Sequence, residues 1–578
     1  MNTYHKSPLK HIFILSFLTL LSFSNLHAQR MLHKEILGRP TDHSITIQAF
    51  FDTTVQVRIL YGYSNNFTEQ TTWQLFNSGQ AAEIELSALT PDTLYFYELQ
   101  FRKPNDVNLL FNPIHQFRTQ RAQGKAFTFV IQADPHLDEQ SDTAVYNRCL
   151  RNQLEDHPDF MIDLGDFLMT DKLRNASKKV PKDTIPYRCH MLRNYYENIC
   201  HSVPLFIALG NHEGESGWNL NGTADNIAIW GTIERQKYFM NPQPNQFYTG
   251  DTTHHPYVGQ RENYYAWEWG DALFIVIDPY WYTKTKPDSL NGWRWTLGKT
   301  QYDWLKQTLE QSSAKFKFVF SHQIVGGDPD GRGGVEYADL YEWGGMNLDG
   351  SYGFAQNRPG WYKPIKELLK EHRVTIFFHG HDHFFGKQDK NCLVYQECPQ
   401  PSHPNFSSVS YAYDYGYHQG QILPNSGHVR VNVRPDGVKV EYVRVYLPRN
   451  ETATRHNKDV SASYFIGQVN CYDSTQMHVP TIYNQNYLEE HVHPNPFAAS
   501  TSIQWQLSSE ANIYIQIFNS SGQLLRTLVN GHQLLPGHYQ VDWDGNDQLG
   551  RSLESGTYFY SISNQQSVIY SGKLLLNR

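Results

Sequence analysis

The chain has little cysteine for its 578 residues: six in all, with none of the paired CxxC spacings of a structural zinc site. So few cysteines exclude a scaffold built on disulfides. Export would permit bridges, with Cys392–Cys398 and Cys189–Cys200 as local candidates, and the pairing stays open. Charged residues are also sparse, at 18%, while aromatic residues reach 14%. This composition argues against disorder and favours a folded extracytoplasmic protein.

The sequence also lacks any basic block interleaved with aromatic residues, and its formal net charge is −8. Binding to a nucleic-acid scaffold through bulk electrostatics is therefore not expected. The length exceeds what one hydrophobic core organises, so about two to four domains are predicted.

Only one long apolar run is present, residues 12–23 (IFILSFLTLLSF), directly after the basic Lys6 and Lys10. With the small residue Ala28 before Gln29, this arrangement predicts a signal peptide over residues 1–28. The alternative is an uncleaved membrane anchor, but the run is short for a spanning helix. We therefore expect an exported protein without a transmembrane segment after cleavage.

Residues 30–120 show short strands of alternating polarity, such as 44–50 (SITIQAF) and 55–61 (VQVRILY). Residues 89–97 (LTPDTLYFY) place a leucine, a turn and a tyrosine as in the tyrosine corner of a β-sandwich. This segment resembles a fibronectin type III-like domain, in particular the one that precedes the catalytic domain of purple acid phosphatases. A generic sandwich spacer is the alternative.

From residue 124 to 447 continuous apolar strands such as 126–131 (AFTFVI) alternate with helix-like stretches at 143–155 and 301–311. Strands of this kind are buried on both faces, so the pattern predicts a central α/β domain, a sandwich of βαβ units. Two long inserts, near 214–262 and 323–362, are rich in Gly, Trp, Tyr and Asn. Loops of that length in a compact domain are usually functional, so we expect substrate-facing residues there.

Potential metal ligands follow five of these apolar strands, in the motifs DPH, GD, GNHE, SH and GHDH. Because ligand sites of α/β sheets lie beyond the carboxyl ends of the strands, the five clusters are predicted to meet. A single such histidine is more often a hydrogen-bonded core residue, but five clusters in order favour a metal site. The residues concerned are Asp134, His136, Asp166, Asn211, His212, His322, His381 and His383.

This series, DxH, GD, GNHE, a lone strand-end histidine and GHxH, resembles the calcineurin-like metallophosphoesterase superfamily over about residues 126–390. The resemblance implies two divalent transition-metal ions (Mn, Fe or Zn), with Asp166 bridging them. One ion would be held by Asp134, His136, Asp166 and His383, and the other by Asp166, Asn211, His322 and His381. A metal-bound hydroxide would attack the phosphorus atom.

The resemblance also assigns roles to neighbours of the ligands. His212 would be catalytic, protonating the leaving oxygen, with Glu213 or another carboxylate orienting its ring. His379 and Asp382 alternate away from the ions, so Asp382, like Glu213, is expected to support the ligands from behind. Asp163, two residues before the GD glycine, is expected to be structural.

Two positions depart from the purple acid phosphatases, whose domain order the chain otherwise matches. Their tyrosine ligand, three positions after the GD aspartate, is replaced by Met169, and their first motif has glycine where this chain has His136. A ferric–tyrosinate centre is therefore not expected.

Residues 448–490 are polar and irregular and are interpreted as a linker. Residues 491–578 open with PNPF, contain a GTY strand at 556–558 and end in a basic, leucine-rich segment. They resemble the C-terminal sorting domain of the type IX secretion system, with a carbohydrate-binding or spacer sandwich as the alternative.

Together these features predict a secreted or surface-displayed dinuclear-metal phosphoesterase, acting on a small-molecule phosphate ester and delivered by the type IX secretion machinery. Phosphomonoesters are the favoured substrates. The alternatives are a phosphodiesterase acting on nucleotides or phospholipid head groups and a non-catalytic surface binding protein. Aromatic residues of the inserts could stack on a base or sugar, or could belong to the core: Trp218, Trp230, Trp281, Trp293 and Trp343.

Overall fold

The computed structural model describes residues 31–287, 291–328, 330–467, 490–507, 510–520, 522–535, 537–564 and 568–578. These residues form an N-terminal β-sandwich, a central α/β domain and a C-terminal β-sandwich. The predicted signal peptide and residues 468–489 of the predicted linker lie outside the described residues. In the part of the chain that is described, no helix is long and apolar enough to span a membrane.

The N-terminal sandwich packs a sheet of order β1-β2-β6 against one in which β3 and β7 are central. Its core consists of alternate residues such as Ile47, Val57 and Tyr97, as the period-2 pattern predicts. The hydroxyl of Tyr95 accepts the Thr90 N–H at 2.8 Å, which is the predicted tyrosine corner. The strands are β1 (Met31–Gly38), β2 (Ile45–Phe51), β3 (Val55–Gly62), β4 (Glu69–Gln70), β5 (Gln74–Phe76), β6 (Ala81–Leu86), β7 (Leu94–Arg102), β8 (Leu110–Phe111) and β9 (His115–Arg118).

The central domain contains two mixed sheets, of order β12-β11-β10-β21-β22-β23 and β13-β14-β15-β16-β17-β19-β18-β20. Their strands are β10 (Phe127–Gln132), β11 (Phe160–Asp163), β12 (Leu205–Ile207), β13 (Thr249–Gly250), β14 (Tyr265–Trp269), β15 (Ala272–Val276), β16 (Phe316–Phe320), β17 (Ile376–His379), β18 (Phe385–Lys390), β19 (Leu393–Glu397), β20 (Gln421–Leu423), β21 (Gly427–Arg434), β22 (Gly437–Arg444) and β23 (Val460–Gly467).

Helices cover the outer faces of these two sheets. The first begins at Thr143 because the Asp142 carboxylate caps it, accepting the Ala144 N–H at 2.8 Å. The helices are α1 (Thr143–Glu155), α2 (Thr184–Tyr196), α3 (Ile227–Tyr238), α4 (Gly298–Gln311), α5 (Tyr341–Gly344), α6 (Phe354–Asn357), α7 (Ile365–Glu371) and α8 (Tyr411–Asp414).

A layer of aromatic side chains fills the space between the two central sheets. Phe129 of one sheet lies edge-on to Phe274 of the other, with ring centroids 5.1 Å apart, and 5.7 Å from Phe318. Every residue of β11, β12, β15 and β17 is buried, as the continuous apolar runs predict. This packing fixes one sheet against the other, and hence the loops at their ends.

Parallel pairing aligns the ends of the strands that carry the predicted ligands. In one sheet β10 pairs in parallel with β11 and β11 with β12. In the other, β15, β16 and β17 are parallel neighbours. The carboxyl ends of β10, β11, β12, β16 and β17 are therefore the edge where the five motif loops begin.

The first of these sheets extends into the segment predicted as linker. Strand β23 pairs antiparallel with β22 along its length, and its Ala462 and Tyr464 are buried in the core between the sheets. The central domain therefore extends to Gly467 rather than ending near residue 447. Alternate side chains of β23 are buried, so this edge strand covers the core with one face.

The C-terminal domain packs a sheet of order β24-β25-β28 against one of order β27-β26-β29-β30. Trp543, Ile515 and Leu574 lie in its core. The strands are β24 (Glu490–His493), β25 (Thr501–Leu507), β26 (Ala511–Phe518), β27 (Leu524–Leu534), β28 (Gly537–Trp543), β29 (Gly556–Ser563) and β30 (Val568–Leu576).

Neither of the two candidate disulfides, Cys392–Cys398 and Cys189–Cys200, is formed. Cys189, Cys200 and Cys398 are buried free thiols, as is Cys149, whereas Cys392 is disulfide-bonded. Burial raises the pKa of the Cys149 thiol to about 12, so it stays protonated at neutral pH.

Candidate metal centre

The backbone of the motif loops is bent sharply where the candidate ligands stand. Asp134, His136, Asp166, His381 and His383 all have positive φ, between 47° and 79°, which is uncommon for residues other than glycine. Such conformations are costly and concentrate at functional sites, where the surrounding structure imposes them. Here the turns point the side chains of both sheets into one space.

Two glycines allow the GD and GN loops to approach each other. A Cβ atom on Gly165 would meet the backbone of Gly210, and one on Gly210 would meet the Asp166 carboxylate. Gly165 also has a φ of +101°. The glycines of both motifs are therefore needed for the close contact of the loops that follow β11 and β12.

One group of side chains brings together Asp134, His136 and His383, whose ligand atoms lie within 4.8 Å of one another. The Asp134 Oδ1 atom is 3.6 Å from the His136 Nε2 atom and 3.4 Å from the His383 Nε2 atom. The other Asp134 oxygen accepts the backbone N–H of His381 at 2.8 Å, which fixes the carboxylate. These three are predicted ligands of the first ion.

A second group brings together Asp166, His322 and His381. The His322 Nε2 atom lies 3.2 Å from Asp166 Oδ2, 3.1 Å from His381 Nδ1 and 3.0 Å from the side-chain oxygen of Asn211. The other three residues predicted for the second ion thus all contact His322.

The Asp166 carboxylate lies between the two groups. Its Oδ2 atom is 3.8 Å from His136 Nε2 of the first group and 3.2 Å from His322 Nε2 of the second. Its Oδ1 atom accepts the backbone N–H of His212 at 2.7 Å. The position is that of the predicted bridging residue.

The hydrogen bonds behind these rings suit a cation in front of them. His322 Nδ1 lies 2.9 Å from the Leu164 carbonyl, and His381 Nε2 lies 3.0 Å from the Asp330 carbonyl. Each carbonyl accepts an N–H, so the ring nitrogen that faces the cluster carries a lone pair. Asp134 Oδ1 and His136 Nε2 are buried and have no hydrogen-bond partner among the described residues. These orphaned atoms fit a bound metal ion.

The charges of the cluster point the same way. Burial alone would lower the pKa of His322, but the carboxylates of Asp166 and Asp134 outweigh burial and raise it to about 9. Burial would likewise raise the pKa of Asp134, yet His322 and His383 hold it well below its usual range. The carboxylates therefore favour positive charge here, which a divalent ion would supply without protonating the histidines.

The His212 ring is oriented by Asp171, a residue outside the five sequence motifs. Its Nδ1 atom lies 2.8 Å from the Asp171 Oδ1 atom, while its Nε2 atom is 4.0 Å from Asp166 Oδ2. Asp171 belongs to a 3₁₀ turn, Thr170–Lys172, that follows the GD loop. No sequence motif marks it, because its partner is 41 residues away.

Glu213 does not contact the His212 ring, contrary to one of the two predicted possibilities. Its buried carboxylate accepts the backbone N–H groups of Asp166, Phe167 and Leu168 at 2.9–3.1 Å, and that of Gly210. Burial and the neighbouring Asp166 raise its pKa to about 8. Glu213 therefore holds the GD loop, and with it Asp166, from behind.

Asp382 and His379 face away from the two ligand groups, as predicted. Asp382 pairs with Arg332 at 3.0 Å and accepts from the Gly333 N–H and the Tyr417 hydroxyl. Arg332 also donates to the His381 carbonyl at 3.0 Å, so Asp382 ties the insert at 326–333 to the ligand loop. His379 Nδ1 lies 2.7 Å from Glu397.

Two further positions singled out in the sequence lie outside the ligand groups. Asp163 accepts from Gln132 and Tyr196 at 2.7 Å each and so joins the strand to α2. Met169, which stands where purple acid phosphatases have tyrosine, is buried beside the Thr170–Lys172 turn.

A cavity of 480 Å³ opens beside His212 and His381. Of the five tryptophans considered for stacking, only Trp218 lines it. Trp343 is fully buried, Trp281 is buried against Arg261, and Trp293 bonds to Asn347. Trp295, which the sequence analysis did not single out, completes the aromatic wall, with its ring centroid 5.8 Å from that of Trp218.

Residues 127–385 match the family described as Calcineurin-like phosphoesterase, and residues 494–567 match the one described as FlgD Ig-like domain. The chain thus contains a calcineurin-like phosphoesterase domain at its centre and an Ig-like domain near its C-terminus. A comparison with curated proteins gave no match.

Two solved structures share the fold over most of the chain. The structure of PhoD covers 76% of this chain and 90% of its own, with a TM-score of 0.54 and 14% identity. The purple acid phosphatase PPD1 from yellow lupin (Lupinus luteus) seeds covers 75% and 74%, with a TM-score of 0.51 and 14% identity. At this identity the likeness concerns the fold.

Proposed function

We propose that the chain is a metal-dependent phosphoesterase that holds two divalent ions and prefers phosphomonoesters. The observation that carries the proposal is the pair of ligand groups with the Asp166 carboxylate between them. Enzymes that hydrolyse phosphate esters commonly bind a pair of divalent ions through carboxylate and imidazole ligands. The phosphoesterase family of the central domain supports the same reaction class.

Asp134, His136, Asp166 and His383 would hold one ion, and Asp166, Asn211, His322 and His381 the other. When bound, two such ions lower the pKa of water and neutralise charge on phosphoryl oxygens. His212, at the mouth of the cluster, would donate a proton from its Nε2 atom to the leaving oxygen, and Asp171 would stabilise the protonated ring.

The preference for monoesters is supported by the cavity beside His212. Four cationic side chains line it, namely Lys172, Arg174, Lys286 and Arg332, against the two acidic residues Asp171 and Asp330. A monoester dianion carries more charge than a diester and gains more from such surroundings. The aromatic wall of Trp218 and Trp295 favours the second candidate, a diesterase acting on nucleotides, because bases stack on aromatic rings.

The test is hydrolysis of an aryl phosphate and of a bis-aryl phosphate by the purified protein. We expect hydrolysis to be abolished by EDTA and restored by Mn²⁺, Zn²⁺ or Fe²⁺, with about two ions per chain by elemental analysis. Asp166→Asn should remove activity on both esters. Unchanged hydrolysis by that variant would refute the site, and stoichiometric metal without turnover of any phosphate ester would favour a binding protein instead.

We further propose that the protein is exported and delivered to the cell surface, with the N-terminal β-sandwich as a fibronectin type III-like domain and the C-terminal one as a type IX sorting domain. The basic and apolar segments of residues 1–28 and the Ig-like domain at 494–567 support this route. Truncation before Glu490 should leave activity intact and retain the enzyme in the periplasm. Normal surface delivery of the truncated protein would contradict the sorting role.

A further inference from the structure

The cavity beside the metal centre carries positive charge that the ligand cluster does not use. Lys172, Arg174 and Lys286 lie on its wall, together with Arg332. Arg332 is committed to Asp382 and lies over the Tyr415 ring at 4.2 Å. The other three have no carboxylate within 4 Å anywhere in the described ranges. They concentrate positive charge at one opening of a chain whose net charge is −8.

Two of these cations, Lys172 and Arg174, are held by hydrogen bonds to the backbone. Lys172 ends the 3₁₀ turn that also carries Asp171, and its N–H donates to the Met169 carbonyl at 3.1 Å. The Arg174 guanidinium donates to the carbonyls of Asp171 and Lys178 at 3.0 and 3.2 Å. Their approximate positions are therefore set before any ligand arrives.

Lys286 approaches from a different part of the chain. Its carbonyl accepts from the Arg294 side chain at 3.3 Å, next to Trp295 of the cavity wall. Trp295 in turn packs edge-on against Trp218. The two lysines therefore line the same cavity as Trp218 and Trp295.

The position of His212 decides which part of a substrate would meet these cations. Asp171, which orients His212, adjoins Lys172 in the chain and bonds through its carbonyl to Arg174. If His212 protonates the leaving oxygen, the leaving group lies beside His212 and therefore near Lys172 and Arg174.

We propose that Lys172, Arg174 and Lys286 form a subsite for a second anionic group on the leaving group, so that the substrates are phosphate esters carrying a further carboxylate or phosphate. The inference rests on the proposed function. Trp218 and Trp295 would contact the apolar or ring portion that joins the two anions. The acidic residues of the lining do not neutralise this positive charge. Asp171 is paired with His212, and Asp330 is a single carboxylate against three cations.

The test compares substrates that differ only in the distal group: 4-carboxyphenyl phosphate and its neutral analogue 4-carbamoylphenyl phosphate, with 1,4-phenylene bisphosphate as the phosphate arm. We expect kcat/KM to be about tenfold higher for the charged esters at low ionic strength, as expected for two or three solvent-exposed charge contacts. The ratio should approach one as salt is raised, because the cavity is open. Preference for one charged ester over the other identifies the second anion as carboxylate or phosphate.

Lysine variants test whether the preference for charged esters arises in the cavity. Lys172→Gln and Lys286→Gln should each lower kcat/KM more for the charged esters than for the neutral one, so that the charged-to-neutral ratio falls about threefold. Lys284→Gln, an exposed lysine in the same segment that does not line the cavity, is the matched control and should leave the ratio as it is.

Calorimetric binding of 4-carboxybenzylphosphonate and 4-carbamoylbenzylphosphonate to the metal-loaded protein separates the subsite from turnover. Tighter binding of the carboxylate, weakened by the two lysine variants, supports the subsite even if neither ester is hydrolysed, a result that would refute only the proposed function. Equal affinities, or a difference that survives both variants, would overturn the subsite.

Discussion

Two regions of the molecule are rich in buried and half-buried histidine, and they differ in what surrounds the rings. The catalytic cluster contains Asp134, His136, Asp166, His322, His381 and His383. The interface cluster lies where the N-terminal sandwich meets α2 and the loop after it, and contains His33, His115, His190, His201 and Glu35.

The rings of the interface cluster bond to one another, to neutral groups or to Glu35, whose pKa burial raises; His115 Nε2 lies 3.4 Å from the Glu35 Oε1 atom. His33 Nε2 lies 2.5 Å from His190 Nδ1, and the remaining nitrogens of the two rings bond to Asn194 at 3.0 Å and Tyr238 at 2.9 Å. His115 and His201 stack with ring centroids 4.0 Å apart. Burial lowers the pKa of these four histidines, so they are neutral at pH 7.

The catalytic cluster instead sets two carboxylates among its rings, and despite their burial His322 holds the pKa of both well below the usual range, whereas burial raises the pKa of Glu35. Density of histidine therefore does not define a metal centre. What distinguishes the centre is convergent lone pairs together with buried negative charge, which only a cation satisfies.

Removing the negative charge of the catalytic cluster should give the largest effect. Asp134→Asn keeps the size of the side chain and can still accept the His381 N–H, but it loses the charge that faces His136 and His383. We expect kcat/KM for an aryl phosphate to fall at least about 10³-fold, with less metal retained after gel filtration.

Two control substitutions test whether that loss is specific to the catalytic cluster. Glu139→Gln changes an exposed carboxylate of the same loop and should leave metal content and activity unchanged. His190→Gln changes the interface cluster and should also leave metal content unchanged. Loss of metal from the His190 variant would contradict the view that only the catalytic cluster holds metal.

The interface cluster should respond in stability rather than activity. Arg193 of α2 is fully buried and donates to the carbonyls of Tyr238 and Gln48 at 2.6 Å each, joining the sandwich to the central domain. Arg193→Met leaves those carbonyls unpaired. We therefore expect the free energy of unfolding to fall by about 3 kcal/mol, measured as a lower Tm by scanning calorimetry.

Activity per folded molecule of the Arg193 variant should stay within about twofold at 25 °C, because the hydrogen-bond partners of Arg193 among the described residues, Gln48, Tyr238 and Lys34, lie outside the ligand groups. Arg151→Met, on the exposed face of α1, is the matched control and should leave Tm unchanged. A folded Arg193 variant without activity would mean that the interface positions the metal centre.

The sequence predicted side chains that do converge but missed most of the cavity, and the reason is physical. Asp134, Asp166 and His381 each stand directly after a buried strand, so motif and strand together specify their place. The cavity wall combines separate segments around Lys172, Trp218, Lys286 and Arg332, whose proximity depends on tertiary packing alone. The same holds for β23, which only its pairing with β22 defines.

The carboxylate behind His212 offers a smaller test of the catalytic cluster. Asp171→Asn preserves an oxygen acceptor 2.8 Å from His212 Nδ1 but removes the charge that would stabilise a protonated ring. We expect kcat to fall by about 10- to 100-fold with little change in KM. The loss should be greatest for substrates with poor leaving groups, since those depend most on proton donation.

A nitrophenyl phosphate, whose leaving group needs no proton, is the internal control and should lose little rate in the Asp171 variant. Equal losses for good and poor leaving groups would mean that Asp171 only holds the turn. Rescue by Asp171→Glu would show that charge rather than exact length matters.

The smallest effect is expected from pH at the interface cluster. Burial lowers the pKa of His33 and His115 to about 3 and that of His201 to about 4, below the ordinary value near 6.5. As pH falls below about 6.5 the unfolded chain takes up protons before the folded one, so stability is full above that pH and declines toward pH 4. Glu35, whose pKa burial raises, opposes this trend, and Lys34 adds to it by lowering the pKa of His115 and His201.

We therefore expect a net loss of stability between pH 7 and pH 5, reduced by Glu35 and by the partial exposure of the rings, measured as the pH dependence of Tm. His115→Gln should flatten that dependence, because the variant has no ring to protonate against Glu35 and His201. His43→Gln, an exposed histidine of the same sandwich, should leave it unchanged. If the His115 variant kept the full slope, the neutral rings would not couple docking of the sandwich to pH, and the interface cluster would be packing alone.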